Sequence, residues 1–257
     1  MLQGLDAALA QYPDTRLFLL PEYTFFGAPP KDFTDWCRRH QRHLIAGGRD
    51  YAPGLFNSRG LRAYFNTAWV IGPEGTVVHR QAKSMPIQFF DDGMPAATQQ
   101  VWNSPWGRLG ICICYDQNYS IVTDPLAEQD MQALLIPTMD VIQWGPYQHE
   151  LSARLAATRA AEYGVPVFRL ASSGVSVVHD SRGRLEAKGS VPGQGEIISA
   201  VIRLSDHARR PWDRLPARIS VVASAFLVCL ALALSFVDER RRLRAARELK
   251  AGKPAAM

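Results

Sequence analysis

From Ile219 to Val237 the chain carries no charge and is rich in Leu, Val and Ala. As a helix rising ~1.5 Å per residue, this run spans about 28 Å, close to the hydrocarbon thickness of a bilayer. A basic, Pro-containing stretch (Arg209 to Arg218) precedes it, and Arg240, Arg241, Arg242, Arg244, Arg247 and Lys250 follow. The charged flanks make the run a transmembrane helix rather than a buried core helix. It divides the chain into a domain (1–208), a basic linker (209–218), a membrane span (219–237) and a basic tail (238–257). The denser positive charge behind the span places the tail in the cytoplasm and the domain on the other side of the cell membrane. Export needs a signal peptide or an earlier membrane helix, and the N-terminus reads as neither. The expectation is therefore either a tail-anchored protein whose domain faces the cytoplasm or a chain that has lost its beginning.

Residues 1–208 have enough apolar content to form a core, since 47% of the 257 residues are hydrophobic; this excludes a disordered chain. The formal net charge is +5. Much of the excess lies in the tail, where a membrane surface is the natural partner. The remainder reads as solvated surface and not as a nucleic-acid footprint. Cys37, Cys112, Cys114 and Cys229 have spacings that suit neither a disulfide framework nor a zinc site, so no metal is expected.

Strand and helix patterns alternate within the domain, which points to a layered α/β fold. Met1 to Gln11 reads as a helix with Leu2, Leu5 and Leu9 on one face, followed by a strand at Arg16 to Leu20. A helix at Asp35 to His43 leads to a short strand, Leu44 to Gly47, stopped by glycine. Ala63 to Ile71 and Thr76 to Ala82 form a hairpin about a Gly72-Pro73-Glu74-Gly75 turn, and Ser84 to Ser104 is a long loop. Strands follow at Gly107 to Cys114 and at Ala133 to Ile136, the latter ended by Pro137. Pro146 to Tyr163 is a helix with Leu151, Leu155 and Ala156 buried. Val165 to Ala171, Gly174 to His179 and Gly195 to Leu204 are the remaining strands.

Glu22, Lys83 and Cys114 each stand at the end of a predicted strand. In an α/β domain such ends line one crevice. Taken singly, they read as a solvated loop glutamate, a surface lysine and an inert buried cysteine. Taken together, they supply a base, a cation and a nucleophile for acyl transfer. Glu22 would take the thiol proton. Lys83 would stabilise the thiolate and then an oxyanion, with the backbone N–H of Tyr115 as second donor. Cys112 shares a strand face with Cys114 and reads as packing. Asp116 is placed to hold the nucleophile turn through backbone hydrogen bonds. Trp144 and Tyr147 read equally as walls of an acyl-chain site and as aromatic core, and His149 as a structural or rim residue.

Leu20-Pro21-Glu22, Lys83 and Ile113-Cys114-Tyr115-Asp116 resemble the Glu–Lys–Cys motifs of the nitrilase, or carbon–nitrogen hydrolase, superfamily. Gly145-Pro146-Tyr147-Gln148-His149, Arg159-Ala160-Ala161-Glu162 and the run from Pro166 through Ser176 are similar to the apolipoprotein N-acyltransferase branch. So is a membrane helix directly after the domain. The resemblance covers roughly residues 2–237. It implies a four-layer α-β-β-α sandwich, a cysteine thioester and no cofactor. The branch implies a phospholipid acyl donor and a lipoprotein N-terminal amine as acceptor. Family members open with a strand before the first helix, and this chain starts in that helix. The family's second glutamate has no obvious counterpart, so Asp91 or Asp92 is expected to stand in. Three readings follow: a membrane-anchored acyltransferase, a membrane-anchored amidase using the same thioester, and a non-catalytic remnant serving as a binding module.

Overall fold

Alternation of apolar side chains along the strands decides the layering. The computed structural model describes residues 1–57, 60–190, 195–250 and 252, and the chain divides into two units, Met1–Arg210 and Pro211–Met257. In the first unit, α1 (Leu2–Gln11), β1 (Leu17–Leu19), α2 (Lys31–His40), β2 (His43–Phe56), β3 (Arg62–Ile71) and β4 (Val77–Ala82) come first. The four strands form one sheet in the order β1-β2-β3-β4, with β1 parallel to β2 and the rest antiparallel. The second sheet uses β5 (Trp102–Ser104), β6 (Gly107–Ile111), β7 (Ala133–Thr138), β8 (Val167–Ala171), β9 (Val177–His179) and β10 (Leu185–Lys188). Its order is β10-β9-β8-β7-β6-β5, with a parallel centre at β6-β7-β8. Helices α3 (Ser120–Glu128) and α4 (Gly145–Tyr163) complete the unit.

Three apolar layers hold these elements together. Leu44, Ala46, Trp69 and Ile71 face Leu5, Phe33 and Trp36 of the first two helices. The intervening residues Ile45, Ala68 and Val70 face the other way, against Leu109, Ile111, Ala133 and Leu135 of the second sheet. Leu134 and Ile136 then face Val122, Leu126, Ala153, Ala156 and Ala160 of α3 and α4. A shift of one residue would exchange the two faces of a strand, so this alternation fixes the register. The result is the expected α-β-β-α sandwich.

Local boundaries differ from expectation for identifiable reasons. Helix α2 starts at Lys31 because Pro30, at φ −63°, leads directly into it, and it closes at Gln41 with φ 52°. Strand β2 does not stop at Gly47. That glycine lets the chain around Glu22 lie against the strand, since a Cβ there would sit 2.6 Å from the Glu22 Cα. Pro137 lies inside β7, paired with Leu170; its missing N–H faces the side where β6 has already ended, so no ladder bond is lost. On α4 the buried side chains include His149, Ala153, Ala156 and Ala160, while Leu151 is exposed. Residues 195–204 do not form the expected strand. They join neither sheet, although Ile202 and Leu204 pack on the inter-sheet core. Two hollows of about 540 and 580 Å³ are lined by both this segment and β1.

In the second unit, α5 (Arg214–Lys250) is one continuous helix. Ile219–Leu249 is long and apolar enough to cross a membrane, with a mean hydropathy of 2.5 in its most apolar window. The helix takes in the end of the basic linker and the basic tail as far as Lys250. The tail beyond that, apart from Gly252, lies outside the described residues.

Candidate active site

Strand ends from both sheets converge at one point. Chain leaving β1 passes Pro21 and turns at Tyr23, with φ 56°. The Pro21 carbonyl accepts the Gly47 N–H, which presses Glu22 onto β2. Lys83 follows β4, and its N–H donates to the Asn66 carbonyl of β3 at 2.8 Å. Both side chains are almost wholly buried. The Lys83 Nζ lies 2.9 Å from Glu22 Oε1 and 2.7 Å from Asp92 Oδ2. Ionised groups this deep need full compensation, because desolvation costs several kcal/mol per ion. The Asn66 amide donates to Glu22 Oε1 at 2.6 Å and to Asp92 Oδ1 at 2.9 Å. The Tyr23 hydroxyl donates to Asp92 Oδ1 at 2.6 Å, and the Ile87 N–H to Asp92 Oδ2 at 2.8 Å. The Met139 N–H donates to Glu22 Oε2 at 2.8 Å.

Of the two adjacent acids, Asp92 points in and Asp91 does not. The Asp91 side chain is exposed, and only its carbonyl is engaged, by the Tyr64 hydroxyl at 2.6 Å. Asp92 is 5% exposed and completes the lysine's surroundings. Burial alone would lower the pKa of Lys83. Glu22, Cys114 and Asp92 outweigh it and hold the ammonium well above the ordinary lysine range.

Cys114 arrives from the other sheet. Strand β6 ends at Ile111, and Cys114 takes a left-handed backbone with φ 49° at the start of a short 3-10 turn, Cys114–Asn118. Such a conformation costs a non-glycine residue of the order of 1–3 kcal/mol. It also breaks the expected period of two. Cys112 packs toward α3 and α4, while Cys114 belongs to the inter-sheet layer, so the two do not share a face. Asp116 fixes the turn by accepting N–H bonds from Ile113, Ser84 and Met85 at 3.1, 3.1 and 2.8 Å. Burial pushes its carboxyl up to about 7, against the pull of those three donors. The Tyr115 N–H sits in the first turn, where helical N–H groups lack an intrahelical partner.

The Cys114 Sγ is 3.7 Å from the Met139 carbonyl, one residue whose N–H is already held by Glu22. Burial and the Glu22 carboxylate raise the thiol pKa well above its usual range, with Lys83 opposing them. Nucleophilic attack by such a thiol calls for a neighbouring proton acceptor. Glu22 and Asp92 both face Lys83, so Asp92 would still balance the ammonium if Glu22 took up a proton. Among the described residues no cluster of His, Cys, Asp and Glu is set to hold a metal ion; the lysine ammonium occupies the centre between the carboxylates.

A cavity of about 390 Å³ opens over Cys114, with Ile87, Tyr115, Asp140 and Trp144 among its walls. Trp144 meets Phe90 edge to face at 6.4 Å. Tyr147 is 81% exposed and is not one of those walls, because it faces outward from the first turn of α4. His149 is buried beneath the 140–144 loop, with Nε2 3.0 Å from the Val141 carbonyl, so it braces the loop and is not one of the cavity's walls. Sequence reasoning passed over Asn66, Tyr23, Asp140 and Arg169. The signal for three of them is a polar or charged residue set in an apolar run: Asn66 in β3, Arg169 in β8, Asp140 just after β7.

The Carbon-nitrogen hydrolase family pattern matches residues 6–210. Apolipoprotein N-acyltransferase of Rhizobium rhizogenes is 29% identical over 204 residues, covering 66% of this chain and 36% of its own. Its counterpart in Brucella melitensis is 30% identical over 212 residues, covering 71% and 38%. An omega-amidase of Homo sapiens is 28% identical over 106 residues, covering 36% and 37%. The chain thus spans roughly a third of the length of the curated relatives it matches. Among solved structures, a branch 10 member of the nitrilase superfamily from Saccharomyces cerevisiae superposes with a TM-score of 0.62 at 19% identity, covering 75% of this chain and 79% of that one. An amidase mutant from Nesterenkonia sp. AN1, with the acetamide moiety of fluoroacetamide added covalently at its active site cysteine, gives a TM-score of 0.60 at 19% identity, covering 74% and 79%. These superpositions speak for the fold, and the family pattern speaks for descent: this chain belongs to the carbon-nitrogen hydrolase family.

Proposed function

We propose that the chain is a membrane-anchored thiol acyltransferase that moves an acyl group from a phospholipid to the amine of a lipoprotein N-terminus. The observation that carries this reading is the Lys83 ammonium held between Glu22 and Asp92 beside a buried thiol. Glu22 takes the Cys114 proton as sulfur attacks the acyl carbonyl. The Lys83 ammonium and the Tyr115 N–H receive the negative charge on oxygen. Collapse expels the donor's alkoxide, which takes the proton back from Glu22, and leaves a thioester on Cys114. The acceptor amine then attacks. Its proton passes to Glu22 and on to the departing thiolate, which restores the enzyme.

Acyl transfer is favoured by acyltransferase relatives that align over 66% and 71% of the chain, and by a helix fit to cross a bilayer. In this reading α5 anchors the domain at the membrane that supplies the donor. The dense positive charge after the span keeps the tail cytoplasmic and the domain extracytoplasmic. A second reading, a membrane-anchored amidase, is supported by the omega-amidase and amidase similarities and needs only water in place of the amine.

The test is an intact mass after incubation with phospholipid in detergent. A gain of one acyl chain, lost in Cys114→Ser, is expected. Turnover of simple amides without a lipid adduct would favour the amidase. No adduct with either substrate class would refute both.

A further inference from the structure

The cavity over Cys114 has one carboxylate among its walls that takes no part in the steps above. Asp140 is 2% exposed. Its Oδ2 accepts from Arg169 Nη2 at 2.7 Å, and Arg169 Nη1 donates to the Val175 carbonyl at 2.6 Å. Its Oδ1 accepts from no group among the described residues, and it is not sealed in, since Asp140 is a wall of the cavity. Asp140 also directly follows Met139, which touches both Cys114 and Glu22. The free oxygen therefore belongs to a wall of the cavity that Cys114 also lines.

Apart from the nucleophile and Asp140, the walls comprise Ile87, Trp144, Tyr115 and four uncharged polar residues. Asp140 is thus the formally charged side chain among those walls, apart from the Glu22 and Lys83 groups that act on the reacting atoms. Arg169, fully buried behind it, neutralises that charge. A bare carboxylate would hold an ammonium in its unreactive form. A carboxylate balanced from behind acts mainly as a hydrogen-bond acceptor, suited to an N–H of a neutral amine. Space for this arrangement is reserved by Gly174, where a Cβ would lie 1.8 Å from Asp140 Oδ2.

We infer that Asp140 is the acceptor-binding residue: its free oxygen receives one N–H of a primary amine and aims the nitrogen lone pair at the Cys114 thioester. The proton lost on attack goes to Glu22, as above, and Asp140 keeps its charge throughout. This inference rests on the acyl-transfer reading and names the chemical class of acceptor for that site.

The experiment measures how the acyl-enzyme partitions between glycinamide and water, per thioester formed, so that the rate of acylation drops out. In Asp140→Asn the aminolysis-to-hydrolysis ratio is expected to fall about tenfold and the KM for glycinamide to rise by a similar factor, the size of a lost hydrogen bond to a charged group. Gly174→Ala, which displaces the carboxylate without removing it, is expected to move the ratio the same way. Glu150→Gln, which alters an exposed pair with Lys188, should leave it unchanged. Should the first two variants fail to fold, the wild type decides: tert-butylamine, too hindered to attack, should compete with glycinamide, and tert-butanol should not. A ratio and KM within twofold of wild type, or equal competition by the two butyl compounds, overturns the assignment while leaving acyl transfer standing. Absence of any acyl-enzyme overturns both.

Discussion

Two buried cations flank Cys114, and they are balanced differently. Lys83 faces two carboxylates, Glu22 and Asp92. Arg169 faces one, Asp140, and turns another donor to a carbonyl. The difference separates two kinds of work. Around Lys83 there is one carboxylate more than the lysine needs, so in the proposed mechanism Glu22 takes and returns a proton while Asp92 keeps the ammonium paired. Around Arg169 the charges are equal, and moving a proton would orphan a buried ion. The first group suits proton transfer, and the second suits holding a position.

The largest test of this contrast is Lys83→Met. It leaves two buried carboxylates without a counter-charge, and the expected cost is about 3–5 kcal/mol, read as a drop of roughly 10 °C in melting temperature, together with loss of the acyl adduct. Arg169→Met should cost less, about 1–3 kcal/mol, because the orphaned Asp140 borders the cavity and can take up water. Equal losses would break the comparison.

A smaller effect separates the neighbouring acids. Asp92→Asn keeps the shape but reduces the charge facing Lys83, and a loss of about 1–2 kcal/mol with slower adduct formation is expected. Asp91→Asn, on an exposed side chain, should stay within about 0.5 kcal/mol and leave the adduct rate alone. Denaturant melts and time-resolved intact mass read both.

Asp116 sharpens the contrast from the other side, since only backbone N–H groups hold it and no salt bridge is formed among the described residues. Its carboxyl is raised from 3.8 to about 7 by burial. A raised folded-state value means that its contribution is fully present below the unfolded pKa and lost as pH rises through about 7. The melting temperature of the wild type should therefore fall relative to that of Asp116→Asn between pH 4.5 and 8, by roughly 10 °C. A constant difference across that range would show the carboxyl to be ionised throughout.

The layers and the meeting point of Glu22, Lys83 and Cys114 were legible because each rests on local pattern. Strands alternate, and each of these residues stands where an apolar run stops. Other features depend on chain brought in from elsewhere. Whether Asp91 or Asp92 turns inward is set by Tyr64, whose hydroxyl takes the Asp91 carbonyl, and by Gly93, which at φ 82° packs against the Asn66 and Tyr64 backbone. Gly47 reads as a strand stop, but its absent side chain makes room for Glu22. Cys112 and Cys114 share a face only if the strand continues, and the left-handed turn at Cys114 separates them. Asp140 and Arg169 lie on different strand ends, and nothing local announces their pairing.

Two carboxylates cross the seam between the sheets in opposite directions. Glu22, after β1 of the first sheet, holds the Met139 N–H after β7 of the second. Asp116, after β6 of the second, holds the Ser84 and Met85 N–H groups after β4 of the first. The floor of the cavity is thereby riveted, and parting the sheets would strip both carboxylates of their donors at once. In the proposed acyl transfer, room for a long acyl chain would come from the walls, the loops carrying Ile87 and Trp144, while the floor kept its geometry.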